Sequence, residues 1–232
     1  SVLAGLLLYK NRNAFIPTTG AMVAVIMMGF AHGGSMLDPQ ITPLVPVLKS
    51  YWLIVHVAII VSSYGFFGLS AILGVFSLII MMIKPNKKIE ISLKEMTYVS
   101  EMSLTIGIYL LTVGTFLGGM WANESWGRYW SWDPKETWAF VSVIVYAVVL
   151  HRRWVPGLRG KFAFNVAAMW AVWTVIMTYF GVNYYLSGLH SYAAGDPIPI
   201  PFWVPATAVA MLALTLAAWY LQNKVYHVKS KD

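Results

Sequence analysis

Trp52-Leu-Ile-Val-His56-Val-Ala-Ile-Ile-Val-Ser-Ser-Tyr64-Gly-Phe-Phe-Gly-Leu-Ser-Ala-Ile-Leu-Gly-Val-Phe-Ser-Leu-Ile-Ile-Met-Met-Ile83 runs without a single Asp, Glu, Lys or Arg. A helix needs about 20 mostly apolar residues to cross a bilayer, and this stretch exceeds that, so it should tilt or protrude. Five further segments of similar character surround it: Ala14 to Gly34, Leu104 to Met120, Pro134 to Leu150, Phe162 to Leu186 and Phe202 to Leu221. All are apolar on every face with no period-two alternation, which argues for helices and against a closed barrel. The expected fold is an all-α integral membrane protein with about six complete spans. Ser1 to Tyr9 is apolar but too short to cross. It reads as the stub of a further span, so residues 1–232 are expected to be one membrane domain at the C-terminal end of a longer or fused polypeptide.

Composition agrees. Of the 232 residues, 59% are hydrophobic and 11% charged, against roughly a quarter charged in soluble domains; mean hydropathy is +0.66. A soluble globule has nowhere to hide that much apolar surface. The absence of cysteine excludes disulfides, thiolate metal sites and cysteine nucleophiles. The net charge of +7 is a topology signal and does not imply nucleic acid. If every span crosses once, all cations but Lys49, Arg128 and Lys135 fall on one side. The positive-inside rule then puts both ends in the cytoplasm, with three outward loops: Ser35 to Tyr51, Trp121 to Asp133 and Ser187 to Pro201. The last holds a Pro-Ile-Pro-Ile-Pro stretch of polyproline character.

The second outer loop and the start of the next span, residues 121–138, read Trp121-Ala-Asn-Glu-Ser-Trp126-Gly127-Arg128-Tyr-Trp130-Ser-Trp132-Asp133-Pro-Lys135-Glu136-Thr-Trp138. An interfacial aromatic belt needs one or two rings per helix end and does not need rings alternating with Gly, Arg, Ser and Asp. A platform for a large flat apolar ligand explains the pattern better, because indoles bury large areas and stack on π-systems. Gly127 permits a tight turn. Asp133-Pro134 looks like an N-cap and first helical residue. Arg128 and Lys135 can pair with ligand carboxylates. Haem fits such a site; quinones and lipids fit less well.

Of the five histidines, His56 lies one turn into the second span and His190 just beyond the fifth, at similar outer depth. Two imidazoles flanking a flat site suit six-coordinate haem iron. His151, at the inner end of the fourth span, reads from its spacing as an interfacial residue before the basic Arg152-Arg153 pair. His32 reads as a hydrogen-bonded helix terminus, and His227 as part of a solvated tail.

The intact Trp126-Gly-x-x-Trp130-x-Trp132-Asp133 core, bracketed by His56 and His190, resembles the CcsA (ResC) family of cytochrome c biogenesis, in the haem-handling superfamily that includes CcmC and CcmF. The resemblance covers nearly all of the chain. It implies a haem b site made by Trp121, Trp126, Gly127, Arg128, Trp130, Trp132 and Asp133, with His56 and His190 on the outer iron. It also raises His151 to a ligand of an inner haem whose second ligand comes from a CcsB (ResB) partner, fused or separate, where Arg152 and Arg153 either steady propionates or anchor the inner face. The implied activity is haem delivery and thioether attachment to Cys-x-x-Cys-His sites of apocytochrome c, a holocytochrome c synthase component acting with CcsB. No residue is expected to be catalytic apart from haem binding. The alternative is a CcmC-like haem transporter or chaperone without synthase activity. The expected location is the bacterial plasma membrane, or the thylakoid membrane if plastid-encoded.

Overall fold

The uncharged run that opens with Trp52 forms one continuous helix. In the computed structural model, residues 15–33, 49–83, 85–190 and 199–229 are described, with the side chains of residues 16, 27, 30–33 and 224–229 left aside. Ser1 to Tyr9, the side chains of His32 and His227, and most of the loops Ser35 to Tyr51 and Ser187 to Pro201, expected to face outward, lie outside the described residues.

The elements are α1 (Phe15–Gly33), α2 (Tyr51–Met81), α3 (Lys87–Trp126), α4 (Pro134–His151), a 3₁₀ turn (Arg152–Trp154), α5 (Lys161–Ile176), a π-helical segment (Met177–Gly181), α6 (Val182–Tyr185) and α7 (Trp203–Lys229). Among the described residues, four helical columns are long and apolar enough to cross a membrane: Tyr51–Met81, Lys87–Trp126, Lys161–Tyr185 and Trp203–Asn223. The other two segments expected to span, Ala14 to Gly34 and Pro134 to Leu150, are helical as α1 and α4, with 19 and 18 residues.

The third segment differs most from its sequence reading. The apolar run Leu104 to Met120 is only the middle of a 40-residue helix, about 60 Å long at 1.5 Å per residue and twice the hydrocarbon thickness. Charges at Lys87, Lys88, Glu90, Lys94 and Glu95 end a hydropathy signal without ending a helix. Asn86 caps its start by accepting a bond from Ile89 N–H at 2.9 Å. The helix ends where Gly127 takes φ +71° and its N–H reaches Asn123 O, a left-handed C-cap that glycine adopts without a Cβ penalty. Trp121 and Trp126, expected in a loop, therefore stand on the last turns of α3.

Small residues on α3 set its register against α2. A Cβ at Gly107 would strike Phe67, one at Gly114 would strike Ile60, and one at Gly118 would strike His56. The numbers rise on one helix as they fall on the other, so the pair is antiparallel. Lipid tails are as apolar as leucine, so close backbone approach through small residues drives such packing. Phe67 then stacks on Tyr146 of α4, with ring centroids 3.7 Å apart. Leu104, Leu111, Phe164 and Ala168 complete the central core. Beside the C-terminal end of α4, Glu101 of α3 accepts two bonds from Arg153 at 3.0 and 3.1 Å. Arg152 is buried with its guanidinium 4.2 Å above the Phe164 ring and 3.8 Å from Glu101. Both arginines thus tie α3, α4 and α5 together within the chain.

Candidate functional site

Between the N-terminal half of α2, the C-terminal end of α3, the start of α4 and the π-helical segment lies a cavity of about 290 Å³. Its wall is mostly apolar: Leu53, Val57, Ile60 and Val61 of α2, with the rings of Tyr64, Trp121, Tyr129, Trp130 and Tyr179. Thr178 and Tyr179 reach it from the π-helical segment; such local widenings of a helix recur at functional sites.

His56 and His190 both line this one cavity. His56 Nδ1 lies 2.6 Å from Gly114 O. A carbonyl only accepts, so Nδ1 carries the proton and Nε2 of the neutral ring keeps its lone pair. The same logic holds for His190, whose Nδ1 lies 2.9 Å from Asp133 Oδ1. Its ring is flanked by two indoles, Trp126 at 4.9 Å and Trp121 at 5.7 Å between centroids.

Asp133 is the junction of the site. It caps α4 in a capping box with Glu136, as the Asp-Pro pair leads one to expect, and Pro134 occupies the first turn. Its Oδ1 also accepts from Lys135 N–H at 3.0 Å, and its Oδ2 accepts from Leu189 N–H at 2.5 Å. A side chain at Gly188 would collide with Oδ2, so glycine is required there for the loop after α6 to close onto the cap. Burial pushes the Asp133 carboxyl up, and the bonds from Lys135 N–H, His190 and Leu189 N–H more than offset it, leaving it below the ordinary range. Burial is also the largest influence on His190. It holds the imidazole below its ordinary value despite the opposing pull of Asp133, so the ring is neutral at pH 7.

Glu136 organises the loop from below. Its Oε2 accepts from Ser131 N–H at 2.8 Å, Ser131 Oγ at 3.2 Å and Asp133 N–H at 3.3 Å. Between those anchors Trp132 adopts φ +58°, a conformation costly for a bulky residue and sustained here by its surroundings. The loop tryptophans divide: Trp130 lines the cavity, whereas Trp132 is 68% exposed and meets Trp130 edge-on at 5.7 Å. Arg128, next to the cap Gly127, is exposed and outside the cavity lining. The cation in the lining is Lys135, whose Nζ donates to Asn183 Oδ1 at 2.6 Å.

His151 lies at the other end of α4. It is exposed, with Nδ1 2.8 Å from Ala147 O and its ring 4.8 Å from that of Trp154. Sequence reasoning did not single out Gly114, Gly118, Tyr64, Tyr179 or Gly188. The four-residue spacing of Gly114 and Gly118 was a usable signal, because small residues one helical turn apart mark a close helix contact.

Among the described residues, no three His, Asp or Glu side chains gather to hold a bare metal ion. Two neutral imidazoles in an aromatic cavity suit a metal whose remaining positions a flat macrocycle already fills.

A family model described as cytochrome c assembly protein matches residues 1–190. The chain belongs to this family. It is 46% identical to the protein NrfI of Wolinella succinogenes over 228 residues, covering 96% of this chain and 25% of that protein. It is 32% identical to the cytochrome c biogenesis protein CcsA of Cyanophora paradoxa over 237 residues, covering 81% of this chain and 72% of the relative. It is also 37% identical to the CcsA of Mesostigma viride over 206 residues, covering 77% and 67%. The chain thus spans a quarter of NrfI and about 70% of these CcsA proteins. It is a CcsA-type membrane protein of cytochrome c biogenesis.

Proposed function

We propose that this chain receives haem b and presents it at the outer membrane face for covalent attachment to apocytochrome c. The carrying observation is that His56 and His190, far apart in sequence, line one aromatic cavity with both Nδ1 protons already committed. In this reading His56 and His190 would hold the iron through their Nε2 atoms. Trp121 and Trp130 would supply the aromatic wall, Trp126 would back His190, and Lys135 would pair with a carboxylate of the haem. Gly127, Arg128, Trp132 and Asp133 shape the loop around them. The apolar wall would keep water from bound haem and favour its reduced, less polar state.

Attachment is an addition. Each substrate thiol adds across a haem vinyl group, sulfur to the inner carbon and the proton to the terminal one, with no leaving group and no net redox change. The thiols belong to the Cys-x-x-Cys-His site of the substrate, so this chain contributes proximity and orientation. An inner haem held by His151 and a ligand from a CcsB partner, and a topology with both ends cytoplasmic in a bacterial plasma membrane, complete the proposal.

The test is haem-loaded protein carrying His56→Ala, His190→Ala or both, assayed by absorption spectrum and by haem transfer to an apocytochrome c. Each single change should weaken the low-spin spectrum, with partial rescue by added imidazole. A double variant with a normal spectrum and full transfer would overturn the assignment. Haem binding without transfer, even with the CcsB partner present, would instead support a CcmC-like carrier.

A further inference from the structure

We propose that the two histidines are unequal partners: Asp133 is a positioning residue that makes His190 the retained iron ligand, while His56 is the exchangeable one. The inference rests on the haem reading of the preceding section and deepens it.

The two rings receive different support. His56 gives its Nδ1–H to a backbone carbonyl, Gly114 O, at 2.6 Å. His190 gives its Nδ1–H to a carboxylate whose side chain is only 3% exposed. A bond to a charged acceptor is roughly twice as strong as a neutral one, and a carboxylate behind an imidazole fixes its orientation and raises its donor strength toward the metal. The carboxylate is itself immobilised by Lys135 N–H and Leu189 N–H, with Gly188 leaving no slack beside it. The His190 ring is further braced by Trp121 and Trp126. His56 has no carboxylate behind it among the described residues; its seat is a carbonyl and the missing side chain of Gly118.

A ligand that must be both held and handed over benefits from this asymmetry. The strongly supported imidazole keeps the iron in the protein while the weaker one yields its position. Asp133 also belongs to the tryptophan segment, whereas His190 follows α6. The pair therefore couples occupation of the tryptophan wall to the placement of the second ligand.

The experiment measures haem release from purified, haem-loaded protein to an excess of apomyoglobin, together with the reduction potential of the bound haem. His190→Ala should release haem about 10–100 times faster than His56→Ala, the range that loss of metal support commonly spans. Asp133→Asn retains a good N-cap while removing the charge. In the His56→Ala background it should accelerate release about tenfold or more and shift the potential positive. In the His190→Ala background it should change neither. Equal acceleration in both backgrounds would mark Asp133 as structural and overturn its positioning role. Equal release rates for the two single histidine variants would overturn the asymmetry, and that comparison stands even if Asp133→Asn fails to accumulate. If neither histidine variant alters the haem spectrum, the ligand reading itself has failed.

Discussion

Gly118 and His56 are in such close apposition that a Cβ on the glycine would lie 2.5 Å from His56 Cε1 and 2.8 Å from Nδ1. One turn earlier on the same helix, Gly114 O takes the Nδ1 proton. A single helix thus supplies both the space and the hydrogen bond that orient an imidazole carried by its neighbour.

Gly118→Ala should therefore displace the His56 ring and break its bond to Gly114. The expected loss of haem affinity is about 10–100-fold, read as haem-to-protein ratio and low-spin absorbance. Gly68→Ala is the control, since its Cβ would meet Val23 at an ordinary 3.5 Å and alanine favours a helix. A Gly118→Ala protein with a full haem complement would refute this seat.

Trp130→Ala should cost more haem than Arg128→Ala. Trp130 lines the cavity, and losing an aromatic side chain that bound haem would bury forfeits about 2 kcal/mol or more, over tenfold in affinity. Arg128 is exposed outside the lining, so its removal should stay within about twofold. Haem stoichiometry in the reverse order would contradict the wall assigned to Trp130.

Lys135→Met should discriminate between ligands by their carboxylates. Lys135 lines the cavity with Nζ held by Asn183. Its loss should weaken binding of iron protoporphyrin about fivefold, the scale of a partly exposed ion pair, while leaving the dimethyl ester of the same porphyrin unaffected. Equal effects on acid and ester would show that the ammonium serves packing alone.

Acid should weaken the haem-free fold in a defined window. His190 is held below its ordinary value by burial, so the unfolded chain takes up a proton near pH 6.5 when the folded chain does not. Its stabilising contribution is complete above that pH and is lost as pH falls toward the lower folded value. Asp133, also held low, loses its contribution only below the ordinary carboxyl range. Melting temperature should therefore drop between pH 7.5 and 5.5, and His190→Gln should shrink that drop. An unchanged drop would show that His190 is not the group responsible.

The helical membrane class was legible because hydropathy needs only local composition, and lipid leaves the backbone few ways to satisfy its polar groups. The candidates His56, His190 and Trp130 line one cavity, and the Asp133-Pro134 cap was legible because it sits beside a strong local signal. Helix ends were less so. Trp121 and Trp126 read as loop because Asn123, Glu124 and Ser125 are polar, yet polarity does not stop a helix; the left-handed turn at Gly127 does.

What local sequence determined, then, is the set of helices, the start of α4 at Pro134 and the residue types available for ligation. Which of them meet was decided only in three dimensions. Gly118 gains meaning from His56, Gly188 from Asp133, and Lys135 displaces Arg128 as the cavity's cation through its place on α4. Arg152 and Arg153 likewise gain Glu101 and Phe164 as partners only in three dimensions. These pairings depend on how α2, α3 and α4 cross. That crossing comes from the summed fit of many side chains across helices and is not a property of any one stretch of chain.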